Sequence, residues 1–479
     1  MTKTLMKTRI KSIALLIILL TGNNAFTQKI FTLKQCVDTA IANNLQVKQS
    51  DLQMQNASIN FKQARDNRLP DLAANLNHGL NQGRSIDPFT NSYVSQNIGY
   101  GNYNLSSGAT LFNGFQIKNF IKQNSLGYEA SKMELQNVKD NLTLNIILAY
   151  LQILNNEDQL AQSNSQVALS KKQVERLEVL NKEGTIIPAQ LYELKGQLAN
   201  DQLAIITNEN AVQASKLTLS QLMNIAYDKN MEVERLTADN YALNYEADPE
   251  SIYQIAVSQL AQIKATEFRK LSAEKAVKVA RGEFYPRVSL GGGIGTNYSS
   301  AARTDIFLNS VQVPSGDFVN VNGNQVPVIT TKSNFNTEKI NYSSQFNNNY
   351  STSVNVGIRI PILNAFRARN NVALAKNDLK NTQYISETAK IQLKQSIEQA
   401  YFNMTASYKR YSTLLQQVND FTEAFRGAQA RYNEGVSTQV DYLIAKTNLD
   451  RANINLISAK YDYIFQTKIL DYYQGKLVL

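Results

Sequence analysis

The chain has 479 residues with 8 prolines, 21 glycines and no tryptophan, and it is rich in Asn, Gln, Leu and Ala, a composition that suits long helices with broad polar faces rather than a compact enzyme core. One cysteine (Cys36) and one histidine (His78) exclude an internal disulfide and a Cys/His metal site within one chain. The net charge is +10, of which the first 27 residues supply four, and the remaining +6 is too diffuse for a nucleic-acid footprint.

Residues 1–27 read as a secretory signal peptide. Lys3, Lys7, Arg9 and Lys11 are basic, 12–21 is a short apolar run, and Ala25 and Thr27 are small residues before a cleavage point near Gln28. No lipobox precedes Cys36. No later stretch approaches 20 apolar residues, so any membrane insertion must use strands.

From there the chain is written twice. Asn113-Gly114-Phe115 recurs as Asn364-Ala365-Phe366, Ala149-Tyr150 as Ala400-Tyr401, Glu183-Gly184 as Glu434-Gly435 and Lys195 as Lys446, each 251 positions on. Pro70 pairs with Pro286 at an offset of 216, so 35 extra residues fall in one connection of the second copy. The first repeat, 28–224, reads as a helix (33–67), a β-hairpin (71–112), a long helix (117–182), a tip near Gly184 and a shorter helix (188–223). A polar, acidic linker covers 225–249. The second repeat, 250–479, reads as a helix (250–283), a β-hairpin (287–362) with a long loop at 299–349, a long helix (367–433), a tip near Gly435 and a helix over 438–473.

Leu191, Leu198, Ile205, Val212 and Leu219 recur every seventh residue, as do Tyr442, Leu449, Leu456, Tyr463 and Leu470. That is a coiled-coil seam, and each glycine marks the tip of an antiparallel helical hairpin. Each long helix would span about 100 Å at about 1.5 Å per residue, matched by two shorter helices stacked end to end.

The segments between helices alternate with period two. Leu72, Ala74, Leu76 and Leu80 oppose Asp71, Asn75, Asn77 and Asn81. Tyr103, Leu105, Ala109 and Leu111 oppose Asn104, Ser106, Gly108 and Thr110. Val288, Leu290 and Ile294 oppose Ser289, Gly291, Gly293 and Gly295. Thr352, Val354, Val356, Ile358 and Ile360 oppose Ser351, Ser353, Asn355, Gly357 and Arg359. Asn355 and Arg359 are thus candidate lumen residues. Tyr100, Tyr103, Tyr298 and Tyr350 at the loop ends, and Phe112, Phe115, Phe284 and Tyr285 at the helix ends, suit two interfacial girdles. His78 reads as a barrel or loop histidine. Four strands alone would leave unpaired edges in lipid, each open backbone group costing several kcal/mol. The barrel must close between chains: two copies give eight strands with a filled interior, while three with cyclic symmetry, the favoured reading, give twelve strands around an open lumen and twelve helical columns.

These features, with Tyr-x-x-Gly-x-x-Thr-x-x-Asp at the second tip (Tyr432, Gly435, Thr438, Asp441), resemble the TolC-like outer membrane efflux protein family over essentially the whole mature chain. The resemblance implies a mixed α and β membrane protein of the Gram-negative outer membrane. Its trimeric 12-stranded β-barrel, four strands per chain, continues into a periplasmic α-helical barrel of long antiparallel coiled-coil hairpins. It implies a homotrimer, a periplasmic adaptor, an inner-membrane pump, and a passive exit duct for small molecules with no catalytic residues, metal or cofactor. It places the adaptor-docking tips at Gly184, Gly435 and Ser437, and the periplasmic gate at Asp441, Tyr432, Thr438 and Tyr442. Three Asp441 carboxylates in a ring would favour cations. Thr438-x-x-Asp441 also reads as a capping box, and the two roles are compatible. The sequence departs from the family at Gln190, where the first tip lacks an aspartate, at Ser437, where an arginine tether is missing, and at Ile444, where a second acid is missing. Closure would then rest more on packing around Tyr432 and Tyr442.

Two other functions stay open on sequence: the same channel serving type I protein secretion or heavy-metal efflux, and a non-transport trimeric surface protein. Antiparallel tips argue against a simple stalk. No phosphate loop, metal cluster or nucleophile elbow supports an enzyme.

Overall fold

A computed structural model describes residues 30–86, 91–95, 97–235 and 248–476. The signal-peptide segment 1–27 and part of the linker, 236–247, lie outside the described residues. In chain order the elements are β1 (Ile30–Phe31), α1 (Leu33–Asn43), α2 (Leu45–Asp66), β2 (Asp71–Asn81), β3 (Arg84–Ile86), β4 (Tyr93–Ser95), β5 (Ile98–Asn113), α3 (Gln116–Lys182) and α4 (Pro188–Met223). There follow β6 (Glu232–Val233), α5 (Pro249–Gln259), α6 (Ala261–Arg281), β7 (Arg287–Ser299), β8 (Arg303–Val321), β9 (Asn324–Lys339), α7 (Tyr342–Asn348), β10 (Ser351–Arg359), α8 (Arg367–Asn433) and α9 (Gln439–Tyr473). None of the described helices is long and apolar enough to cross a membrane.

The helical stretches expected at 33–67 and 250–283 are each two helices. The breaks fall at Asn44 and Leu260, whose ψ angles are 127° and 133°. Asn44 turns its Oδ1 onto the N–H groups of Gln46 and Val47, capping the next helix. Both breaks stand 216 positions apart, as do the helix caps Thr32 and Asp248.

The chain divides into two compact units. One holds the described residues of 30–58, 126–271 and 380–476, whose regular structure is helical apart from the parallel β1–β6 pair. Its largest core packs Cys36, Val37 and Ala40 of α1 against Ile146, Ile147, Tyr150 and Leu154 of α3; of the predicted seams, Leu191, Val212 and Leu219 on α4, and Tyr442, Tyr463 and Leu470 on α9, are buried. Tyr150 of α3 is fully buried and donates its hydroxyl to the carbonyls of Phe31 and Glu234, fastening the β1–β6 pair to the long helix.

In the same unit Glu267 of α6 binds Lys270 at 2.7 Å and, from α8, Lys390 at 2.7 Å and Ser386 at 2.9 Å. Burial opposes its ionisation, but the hydrogen bonds from the two lysines and the serine outweigh burial and hold its pKa at about 2. A depressed carboxyl pKa stabilises the fold above the unfolded value of 4.5 and loses that stabilisation as pH falls toward about 2. After allowance for solvent screening this amounts to about 1–2 kcal/mol. A thermal-midpoint series on Glu267→Gln should converge with the parent as pH drops through that window.

The other unit holds residues 59–125 and 272–379. Its centre is a four-stranded antiparallel sheet in the order β10-β7-β5-β2. Pairings such as Leu76↔Tyr103↔Thr296 and Ala109↔Leu290↔Val356 gather the predicted apolar residues on one face. The opposite face carries Asn, Ser and Gly. Three expectations change. A bulge between Thr110 and Phe112 leaves Leu111 outside the ladder and puts Phe112, opposite Val288, on the apolar face. Tyr100 pairs with Gly79 and Ser299 on the polar face, its ring lying where a Cβ on Gly79 would be, so it is no girdle residue. The long loop at 299–349 is instead a two-stranded ribbon, β8–β9, followed by α7. Asn322 and Gly323, at φ 53° and 85°, form the two-residue turn that closes the ribbon.

His78 lies on the apolar face. It stacks on Tyr298 across side-chain-free Gly101, and its Nδ1 is 3.0 Å from the Tyr103 hydroxyl. Tyr342 of α7 hydrogen-bonds the same hydroxyl at 3.1 Å.

Candidate functional site at the hairpin tips

Both long helices end in the same way. Gly184 and Gly435 each have φ of 71°, and the next N–H (Thr185, Val436) reaches back to the carbonyl five residues earlier (Leu180, Arg431). This is the glycine-closed C-terminus that satisfies orphan carbonyls. A Cβ on either glycine would meet nothing within 4 Å, so backbone conformation alone demands glycine there.

At the second tip Thr438 and Asp441 form a reciprocal capping box. The Asp441 N–H donates to Thr438 Oγ1 at 3.2 Å, and the Thr438 N–H donates to Asp441 Oδ2 at 3.1 Å. Hydrogen bonds from the Thr438 hydroxyl and N–H hold the Asp441 carboxyl below the usual range. Asp441 remains exposed, so capping leaves its charge facing solvent.

Tyr442, one residue on, is fully buried. It stacks on Tyr432 at 5.0 Å and packs against Phe425 at 5.6 Å. Burial pushes both tyrosine hydroxyls up in pKa. Ser437, expected as a docking residue, is half-buried, and its Oγ is enclosed without a hydrogen-bond partner among the described residues. The outward apolar residues of the two tips are Ile187, Tyr192, Val436, Val440 and Ile444.

The structure also joins the two hairpins through residues that sequence reasoning missed. The Arg176 guanidinium of α3 holds the Asn433 side chain and, at 2.7 Å, its carbonyl. Gln439 donates to the Gln190 carbonyl at 2.9 Å. Deeper in, Lys446 of α9 lies 3.0 Å from Asp201 of α4 and 2.7 Å from Asp450, and Asp201 also accepts from Ser170 and Gln197. Lys446 is 2 % exposed and Asp201 8 %. The desolvation of Asp450 outweighs the pull of Lys446 and raises its carboxyl pKa. Lys195, at the equivalent repeat position, pairs with Glu178 at 2.7 Å with both side chains over 40 % exposed. One repeat position thus serves a solvent pair in one hairpin and a buried clamp in the other.

The lumen candidates lie in the other unit, on the polar face of the sheet. Asn355 faces Gly291, where a Cβ would come within 2.9 Å of its Oδ1. Arg359 closes β10 opposite Arg287.

The family model described as outer membrane efflux protein matches residues 36–224 and 320–470. The chain belongs to the outer membrane efflux protein family. It is an outer-membrane channel component of a bacterial efflux system. Outer membrane efflux protein BepC of Brucella suis is 22% identical over 390 residues, 76% of this chain and 74% of its own. Toxin and drug export protein A of Aggregatibacter actinomycetemcomitans is 20% identical over 448 residues, 90% and 83% of the two chains. The fold is that of the outer membrane protein VceC of Vibrio cholerae, with a TM-score of 0.73 and 16% identity over 92% of this chain and 96% of that one. In this efflux protein the tips therefore combine a charged exposed cap, a buried aromatic stack and an ion-paired clamp between hairpins. Among the described residues no group of three or more side chains could hold a metal.

Proposed function

We propose that three copies of this efflux protein, each built of two repeats, close a twelve-stranded barrel in the outer membrane and a helical barrel in the periplasm. The duct so formed serves as the passive exit of a tripartite pump for small molecules. The observation that carries this reading is the sheet: four strands, one face apolar, with β2 and β10 left as edges that pair with no other strand among the described residues. Lipid does not tolerate such edges, and closure between copies removes them. The exposed apolar tips around Val436 and Ile187 supply the docking surface for a periplasmic adaptor, and the adaptor links the duct to an inner-membrane pump. A relative named for both toxin and drug export favours protein secretion as the second reading.

Asp441 supplies the charge at the periplasmic entrance. In planar bilayers Asp441→Asn should lower cation-over-anion permeability several-fold while leaving the cap largely formed. Asp441→Ala should do the same and also loosen the start of α9 by removing the acceptor for the Thr438 N–H. Unchanged selectivity in both variants removes Asp441 from the entrance.

A further inference from the structure

The two edge strands carry the most exposed apolar side chains of the sheet. Leu72, Leu76 and Leu80 on β2 are 66–73% exposed, and Val354, Val356 and Ile358 on β10 are 63–81% exposed. Leu105, Leu290 and Ile294 on the inner strands, which have neighbours on both sides, are only 38–41% exposed. Each edge also bears one charge on its polar face at the end joined to the helices. Asp71 opens β2 and Arg359 ends β10. Neither has an ion-pair partner among the described residues, and Asp71 Oδ1 only accepts from the Gly108 N–H at 2.8 Å.

We infer that β10 of one chain pairs antiparallel with β2 of the next in the register that sets Arg359 opposite Asp71 of the neighbouring copy. This rests on the barrel reading above and specifies its seam. Strand directions alternate across β2, β5, β7 and β10, so this junction continues the antiparallel order. The register sets Asn355 opposite Asn75 and Ser353 opposite Asn77 on the polar face. On the apolar face it sets Ile358 opposite Leu72 and Val354 opposite Leu76. A one-residue slip would turn one strand inside out.

Barrel geometry selects among the slips that keep the faces. Straight across the ladder Asp71 is level with Gly108, Gly291 and Asn355. Closing on Arg359 therefore staggers each chain by four residues over four strands. With about 3.3 Å per residue and about 4.8 Å per strand, the tilt is about 35°, within the range of membrane barrels. Pairing Asp71 with Asn355 would leave the strands untilted. A two-residue slip one way gives about 19°, below that range; the other way gives about 46°, near it, but sets Asp71 opposite Pro361, beyond the end of β10, and separates the charges.

The test is disulfide trapping in the full chain in outer membranes. Cys36 can stay, because it is fully buried and burial pushes its thiol up to about 12. Asn77→Cys is combined with Ser353→Cys, or with the slipped partners Ser351→Cys or Asn355→Cys. The Asn77/Ser353 pair should cross-link about ten-fold faster, giving species up to three chains. Asp71→Arg or Arg359→Asp alone should weaken the detergent-solubilised assembly, and the two together should restore it. If a slipped pair leads, this register is wrong and the barrel stands. If no pair cross-links and the protein runs as single chains, the barrel reading fails and the register falls with it.

Discussion

Lys446→Met destabilises the hairpin tips by about 3–5 kcal/mol, because it strands two carboxylates in a region closed to water. Asp201 is 8 % exposed and Asp450 19 %, and Asp201 keeps only the neutral donors Ser170 and Gln197. Thermal unfolding in detergent reads the loss, and limited proteolysis locates it at the tips. Lys446→Met with Asp201→Leu recovers part of the stability, since it removes the more buried partner and leaves only Asp450 without its lysine. A polar pair at a coiled-coil seam costs stability and fixes register. The double variant should therefore fold yet show higher basal conductance in planar bilayers, as the second hairpin slides against the first. Equal stability of the single variant and the parent would mean that Lys446 clamps nothing.

Tyr442 gives the second large effect. Tyr442→Ala empties a fully buried site between Tyr432 and Phe425 and costs about 3–5 kcal/mol. Tyr442→Phe changes stability by no more than about 1 kcal/mol, because the hydroxyl is enclosed and has no hydrogen-bond partner among the described residues. The ring, not the hydroxyl, then holds the tip together. Comparable losses in the two variants, measured by denaturation in the same detergent, would contradict that assignment.

Much of this was written in local pattern. Period-two alternation placed Leu72, Leu76, Val354 and Val356 on one face, because a strand's side chains have no other freedom. The heptads over 191–219 and 442–470 marked the buried seams, and the two glycines marked the tips. What escaped depends on interruptions that periodicity passes over. The breaks at Asn44 and Leu260 sit inside apolar spacing that continues on both sides. The bulge at Leu111 shifts one residue and reverses the face of its neighbour. The β8–β9 ribbon did announce itself through Asn322-Gly323 between apolar runs, a signal outweighed by the polar composition of the segment. The clamp left little trace: Lys446 and Lys195 occupy the same repeat position, and only packing against Asp201 decides which is buried. Arg176, aligned with no tip motif, ties the hairpins through Asn433.

The proposed exit duct requires three of these chains to close together. Native mass spectrometry of the full protein, extracted from outer membranes in mild detergent, tests it most directly. A dominant species of three chains is the expected result. A protein found only as one or two chains would contradict the account, since neither supplies the twelve strands on which the barrel and its lumen depend.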